Sequence, residues 1–534
     1  MKNSQYKSIN ILLNFLGYEY NEEKCKSVYS RINSTGLLKF FLHFYLKILN
    51  LFSKFSFFIN LNKNFILFKF LTGIVILVFE SENESFAKKI KNEVNTDLNK
   101  IYDIAVVGSG PGGSIASLRS LERGKSVVLI ESGAKYLPGT IEHHSLDQTT
   151  KQFKKQGLNF CYGNIPMLFT EGETYGGGSE VNSGLYFKLT EPYRSNFLKN
   201  CNIEEEEWQR FEKIVEQKIS VQKSPEGSLD NIKSALLDGS KNKGLVCEEV
   251  PRWRSYEPVE EHKSMQVTYL KESEEKDVDI FTESKVIKIL PKKDYIEIIT
   301  ISKNEKNSIR AKNIVLSAGT IGTPQILKNS GLIKDKLYFN FHPMNRAVVE
   351  YEEVVNSGDL FPPLQAWTSD YIYKFGYSVS TYPYVKATLA SFGKTKNLPK
   401  EGKLVSYFSS TVLESSNGRL LNIFGNLIPI CYISKKDRKK IKKGFHILLD
   451  LLKSTNINDI WPKFGISPMT TVHVFGSIPI GVSKDIGQLG ELKKDNRIKI
   501  CDASLLPQAP WGNPQAVVMV LNEILMNKWL DKNF

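Results

Sequence analysis

Three glycine-bearing segments and one acidic residue are where this 534-residue chain first suggests chemistry. Gly108, Gly110 and Gly113 are spaced G-x-G-x-x-G around Ser109, and Glu131 closes the next apolar run. In such a loop the first glycine permits a tight turn, the second lets backbone approach a pyrophosphate, and the third lets a helix and a strand pack closely. The helix N-terminus then faces the anion. A carboxylate at Glu131 would accept hydrogen bonds from a ribose and disfavour a 2′-phosphate there. The competing reading is a glycine-rich turn. A second segment, GGGSEVN, carries Gly177 and Gly178 and ends at Asn182, so it can bring backbone against a flat ring system. A third runs from Ser317 through Gly319 to Leu327 behind a strand over 313–316, and Pro324 predicts a helix start. A well-capped structural helix is the competing reading of that segment.

These motifs need elements to hold them. The run YDIAVVG from Tyr102 predicts a strand, Ser114 to Arg123 a helix, and Ser126 to Glu131 a second strand, which together make a β-α-β unit. Gln515 to Trp529 predicts an apolar C-terminal helix. Residues 191–275 and 336–490 read as irregular and aromatic, as a substrate-shaping region would be. The length favours two intertwined domains plus an extra segment.

The extra segment is N-terminal. In residues 36–55, Lys39, His43, Lys47, Asn50 and Lys54 recur at helical steps on one stripe of an otherwise Leu- and Phe-rich run. Such a stripe suits an in-plane membrane helix and equally a helix packed on a protein core. The run from Phe65 to Phe79 is interrupted by Lys69 and falls short of the roughly 20 apolar residues a spanning helix needs. Residues 36–79 are thus open to a membrane surface or to core packing, with 80–100 as connector. The polar stretch ahead of residue 36 does not resemble a signal peptide.

Composition is near the globular average, with 41% apolar and 24% charged residues. The net charge of +14 is dispersed apart from short runs such as Lys435 to Lys443, and no nucleic-acid-binding motif accompanies it. Nucleic acid is set aside as a partner, and no metal-ligand spacing is present. Cys25, Cys161, Cys201, Cys247, Cys431 and Cys501 form no C-x-x-C pair, which predicts reduced thiols in a cytoplasmic protein, peripheral at the inner membrane face if the N-terminal segment docks there.

Taken together, the glycine segments resemble the glucose-methanol-choline (GMC) oxidoreductase family, whose two signature regions match at GGGSEVN and at GTIGTPQIL followed by SGL. Glu173, Tyr175 and Ile333 depart from the usual signatures. The resemblance covers residues 102–534 and extends to Thr471–Ser477, to Cys501–Pro507 and to Gly512-Asn513-Pro514. The His-plus-Asn style is that of cholesterol oxidases and long-chain alcohol oxidases.

The resemblance implies an α/β fold. A Rossmann-type FAD-binding domain (98–190, 276–335 and 491–534) is interleaved with an α+β substrate domain (191–275 and 336–490), behind a helical appendage (1–97). It implies FAD, non-covalent because Val181 holds the place where some members carry the linking histidine. It implies that His473 is a base, that Asn513 orients the substrate oxygen, that Asp502 lies near the ribityl chain, Asn513 and Pro514 at the isoalloxazine edge, and Val286 near adenine. Alone, His473 would be an ordinary packed or surface histidine and Asn513 a turn residue. His342-Pro343 also resembles a family motif, with packing as its expected role. The implied activity is oxidation of an alcohol to a carbonyl by hydride transfer to flavin, with oxygen, a quinone or a protein as acceptor. A lyase or decarboxylase on the same fold and a non-catalytic FAD-binding subunit are the alternatives.

Overall fold

The computed structural model describes residues 2–36, 38–51, 66–81, 87–90, 100–228, 234–257, 260–334, 336–355, 363–463 and 465–534. Helices α1 (Lys2–Leu16), α2 (Glu22–Ser34), α3 (Leu38–Leu51) and α4 (Ile66–Glu80) come first. Their apolar faces meet in a core of their own, with Leu13, Cys25, Leu42, Leu71 and Val75 fully buried. Asn21 caps α2 by accepting from Lys24 N, as a helix N-terminus requires.

Of the basic stripe read on α3, Lys47 is exposed while Lys39 and His43 are half-buried. His43 bonds Asn33 Oδ1 at 3.0 Å and its ring lies 4.9 Å from that of Tyr29. Exposed with Lys47 are Phe40, Phe41 and Phe44, each more than 60% accessible. The side chain of Asn50, and Lys54, lie outside the described residues, as does most of the connector. Helix α4 follows the packing reading: it lies against a later helix, α7 below, and Lys386 pairs with Glu80 at 2.8 Å.

The β-α-β unit is β1 (Ile101–Val107), α5 (Pro111–Leu121) and β2 (Val127–Ile130), within two or three residues of its expected bounds. Both strands are apolar along nearly their whole length because helices and neighbouring strands bury both faces of a parallel sheet. Beyond a short strand over 159–163 (β3), this sheet gains β4 (Asp279–Phe281), β5 (Lys285–Pro291), β6 (Ile296–Ser302) and β7 (Glu305–Leu316) in the order β4-β2-β1-β7-β6-β5. Pairing is parallel from β4 to β7 and antiparallel through β6 and β5.

The last three residues of β7 also pair in parallel with a C-terminal strand over 495–500 (β15 below), so Leu316 stands between Val107 and Ile500. Three strand ends therefore stop at one level, the edge of an α/β sheet where ligands bind. Helix α6 (Gly319–Asn329) follows β7 and begins five residues before the expected Pro324. Its first turn is secured by side chains: Asp502 accepts from Gly319 N at 2.9 Å and Thr323 Oγ1 accepts from Ala318 N at 3.0 Å.

The middle of the chain, expected to be irregular, is organised by a thirteen-stranded sheet among the described residues. Its strands include β8 (Leu337–Phe341), β9 (Met344–Glu350), β10 (Tyr373–Tyr377), β11 (Leu404–Thr411), β12 (Asn417–Ile423), β13 (Asn426–Tyr432) and β14 (Val474–Phe475). Helix α7 (Tyr382–Ser391) carries α4, and α8 (Lys435–Lys453) turns the basic run to solvent while Ile441, Phe445 and Leu448 face the sheet. β3, assigned by sequence to the first FAD-binding segment, pairs with β13 in this sheet instead.

That pairing places Cys161 beside Cys431, and the two form a disulfide across 270 residues. The expectation of six reduced thiols is corrected: the partners meet only through strand pairing, so no local spacing announces them, and the bond removes the cysteine argument for a reducing compartment. Among the described residues no helix is long and apolar enough to cross a membrane.

After β15 (Asp495–Ile500), α9 (Gln515–Asn533) closes the chain against α5. Glu523 on α9, fully buried, takes both Arg119 Nε and Nη2 at 2.8 Å and Tyr269 Oη at 2.7 Å. Removing one partner of such a buried pair costs about 3–5 kcal/mol. This anchor fixes the start of α9, and hence Asn513 and Pro514 just before it.

Candidate active site

A cavity of about 1150 Å³ opens at the ends of β1, β7 and β15 and continues between the two sheets. At its first end the glycine segments interlock. A Cβ on Gly177 would stand 2.7 Å from Gly110 Cα, and one on Gly108 would stand 2.3 Å from the Ser317 carbonyl oxygen. Gly108 (φ +93°) and Gly177 (φ +59°) also hold left-handed backbone, which favours glycine. Gly178 and Gly319 have nothing within 4 Å of the Cβ position, so their backbones are open to the cavity.

The residues named from sequence divide here. Gly108, Gly110, Glu131, Gly177, Gly178 and Asn182 border the cavity, as do Val286, Gly319, Asp502, His473, Asn513 and Pro514. Ser109 and Gly113 do not; they lie behind it. Ser109 donates through N and Oγ to Glu131 Oε2 at 2.9 and 2.7 Å and accepts from Gly176 N at 2.9 Å, tying the first glycine loop to the second. Gly113 lets α5 seat on its strand, since a Cβ there would be 1.8 Å from the Gly108 oxygen.

Glu131 also receives Gly133 N at 2.8 Å, and Asp502 receives Ser504 N at 2.8 Å besides the start of α6. Burial pushes both carboxyls up, against those hydrogen bonds. Asn182 gives Nδ2 to Gln515 Oε1 at 2.7 Å and accepts from Gly184 N at 2.9 Å, which links the second glycine loop to α9.

At the other end β8 and β14 pair antiparallel, Phe341 opposite Val474, so His342 and His473 emerge side by side. Their Nδ1 atoms are 3.1 Å apart, one necessarily donating to the other. His473 is driven well below the usual imidazole range by burial and then by His342 and Lys374; His342 falls to about 3 through burial and Lys374. Both rings are therefore neutral near pH 7. The sequence expects packing as the role of His342; in the structure its ring is buried and also hydrogen-bonded to that of His473.

Lys374 on β10, not singled out from sequence, is 5% exposed and donates to Asn513 Oδ1 at 3.1 Å. Burial lowers it to about 7. A single lysine among the aromatics of the middle region carries no sequence signal. The run that forms α4 was visible in sequence, but not its place here, where Phe70, Gly73, Ile74 and Leu77 wall the same cavity.

A parallel sheet with a glycine cradle at its strand ends, opening on a neutral histidine and an asparagine, defines a dinucleotide-dependent oxidoreductase. Residues 112–344 match the family described as GMC oxidoreductase, so the chain carries a GMC oxidoreductase domain, and GMC oxidoreductases bind FAD. An uncharacterized GMC-type oxidoreductase of Sinorhizobium fredii is 22% identical over 479 residues, covering 80% of this chain and 94% of that protein. A long-chain-alcohol oxidase of Arabidopsis thaliana is 24% identical over 548 residues, covering 84% and 71%. Among solved structures, pyridoxine 4-oxidase from Mesorbium loti superposes with a TM-score of 0.62 at 14% identity over 80% of this chain and 99% of that one. A formate oxidase variant of Aspergillus oryzae gives 0.64 at 11% identity over 81% and 99%.

The residues present fit FAD. The cradle leaves bare backbone at Gly110, Gly178 and Gly319 facing the cavity, α5 points its N-terminus there, and the volume exceeds that of an ordinary ligand pocket.

Proposed function

We propose that this protein oxidises the CH–OH group of an alcohol to a carbonyl, with FAD held non-covalently along Gly108, Gly110, Glu131, Gly177, Gly178, Asn182, Val286, Gly319, Asp502 and Pro514. FAD, when bound, accepts the hydride. The observation that carries the reading is the pairing of His473 with His342 on the cavity that also holds Asn513 and the glycine cradle.

His473 takes the hydroxyl proton. With the proton of its ring on Nδ1, donated to His342, Nε2 is left as a bare lone pair, and burial keeps that ring neutral until the substrate proton arrives. Asn513 holds the substrate oxygen through its amide N–H, because Lys374 already occupies Oδ1 and so fixes which end of the amide faces the cavity. Val181, bordering the cavity beside Asn182, offers no nucleophile for a covalent link. The exposed Phe40, Phe41 and Phe44 of α3, beside Lys47, support an anionic membrane surface as the docking partner.

The test is anaerobic flavin reduction across an alcohol series. His473→Gln should slow it by about a hundredfold to ten-thousandfold while the flavin stays bound. Asn513→Asp should also slow it, since a carboxylate repels the developing alkoxide. Reduction of His473→Gln at the parent rate refutes the assignment.

A further inference from the structure

Lys374 and Arg346 stand on one face of the large sheet. β11 runs between β9 and β10, with Arg346 opposite Phe408 and Lys374 opposite Ser410, and directly opposed residues share a face. All four border the cavity. The Lys374 ammonium lies 4.6 Å from the Phe187 ring centroid and 5.8 Å from that of Trp511, and among the described residues its hydrogen bond goes to Asn513 alone. Arg346 gives Nε to Ser378 Oγ at 2.9 Å and Nη1 to Thr470 Oγ1.

Neither cation has a carboxylate partner among the described residues. A third, Arg31 of α2, is 2% exposed, borders the same cavity, and leaves Nε and Nη1 without partners. The acidic residues on the cavity, Glu131, Glu171, Glu173 and Asp502, lie in or beside the glycine cradle, and Glu171 is paired with Lys154 at 3.3 Å. Among the described residues, the cavity's carboxylates thus face cations on the cradle side, such as Lys154, and none pairs with Lys374, Arg346 or Arg31. Burying a lone cation costs several kcal/mol, a cost that an anionic ligand offsets.

We propose that the substrate of this site is an alcohol bearing a carboxylate, which the Lys374 ammonium holds beside Asn513 in the field of Arg346 on the same wall. The Lys374 ammonium, a compact charge beyond its bond to Asn513, can donate to a carboxylate oxygen, and the aromatic rings around it exclude competing water. A neutral alcohol would leave the wall uncompensated. The apolar surface from α4 accommodates a hydrocarbon chain beyond the charged group. This inference rests on the cavity being the site of alcohol oxidation.

The test compares octanoate with octanamide, titrated into FAD-bound protein at about pH 6, where the alkanoate is ionised. Binding is read from the flavin absorbance and from quenching of tryptophan fluorescence, with no turnover required. Octanoate should bind at least about tenfold tighter than octanamide, the size of one charge-assisted hydrogen bond. Lys374→Met should lose that preference and Lys374→Arg should keep most of it. Equal binding of the two probes to the parent, or an unchanged preference in Lys374→Met, overturns the proposal; the parent comparison decides alone if the methionine variant does not fold. A preference for octanoate without oxidation of any alcohol would overturn the reaction and leave the anion site standing. Alcohol oxidation without the preference would do the reverse.

Discussion

Gly110 and Gly113, the N-cap and the third residue of α5, should fail in opposite ways when each is replaced by alanine. At Gly110 the backbone is extended (φ −64°, ψ −175°) and the nearest atom to an added Cβ is Gly177 Cα at 4.0 Å, an ordinary contact. The fold should absorb that methyl group, even gaining about 0.4–1 kcal/mol from a stiffer unfolded chain. At Gly113 the new Cβ would lie 1.8 Å from the Gly108 oxygen. Relaxing it to about 3.5 Å moves α5 off its strand by more than an ångström, at a cost of about 1–3 kcal/mol or more. The Gly110 methyl group instead stands where the cradle must meet a pyrophosphate. Thermal melts of FAD-free protein should therefore show Gly110→Ala at or slightly above the parent and Gly113→Ala several degrees below. FAD at about a hundred times its dissociation constant stabilises the parent by about 2.7 kcal/mol, and Gly110→Ala should lack that rise. A Gly110→Ala protein that melts early without FAD, or that shows the full FAD-dependent rise, would refute the division between cradle and scaffold.

Burial raises Glu180 to about 7 despite hydrogen bonds from its neighbours. A carboxyl whose folded value exceeds its unfolded value of about 4.3 contributes its full stability below that lower value and loses it as pH rises through the upper one. Glu180→Gln should therefore gain in melting temperature over the parent from pH 5 to pH 8, and a constant difference would contradict the assignment. Full-length protein should co-sediment with anionic vesicles at low salt and less at high salt, with replacement of Phe40, Phe41 and Phe44 by serine removing the effect; no sedimentation at low salt would exclude α3 as a membrane face. Denatured protein should titrate four thiols without reductant and six with it, where six in both would show that Cys161 and Cys431 are unpaired.

What could be read in the sequence was local. The cradle was legible because its requirement, bare backbone between a strand and a helix, is met by glycines at fixed spacing, and Gly108, Gly110 and Gly177 do interlock at the strand ends. Ser109 shows the limit: its place in the motif was visible, but its tie from Glu131 to Gly176 depends on two loops separated by 67 positions. His342 was visible as a motif, yet its bond to His473 arises only when β8 pairs with β14. Lys374 and the Cys161–Cys431 bond left no signal, because both depend on which strands neighbour one another in the large sheet. Short strands with similar aromatic content do not encode their neighbours by pattern alone. For α3, helical spacing located the polar residues, but partner helices decided which of them met solvent.

Helix α4 belongs to the appendage in sequence and to the cavity wall in space. The parts proposed to handle cofactor and proton sit at strand ends (the cradle and His473) and just ahead of α9 (Asn513), whereas Phe70, Ile74 and Leu77 arrive from a helix of the N-terminal segment. On the proposed reading bore and chemistry are separable: bulkier or smaller residues at Ile74 and Leu77 should shorten or lengthen the chain the cavity admits while the glycine cradle, His473 and Asn513 stay in place. The arrangement resembles a lathe with an exchangeable collet, in which one cutting edge serves work of several diameters. If the proposed reaction holds, selection on substrate length can act on α4 while the proposed reacting groups stay as they are.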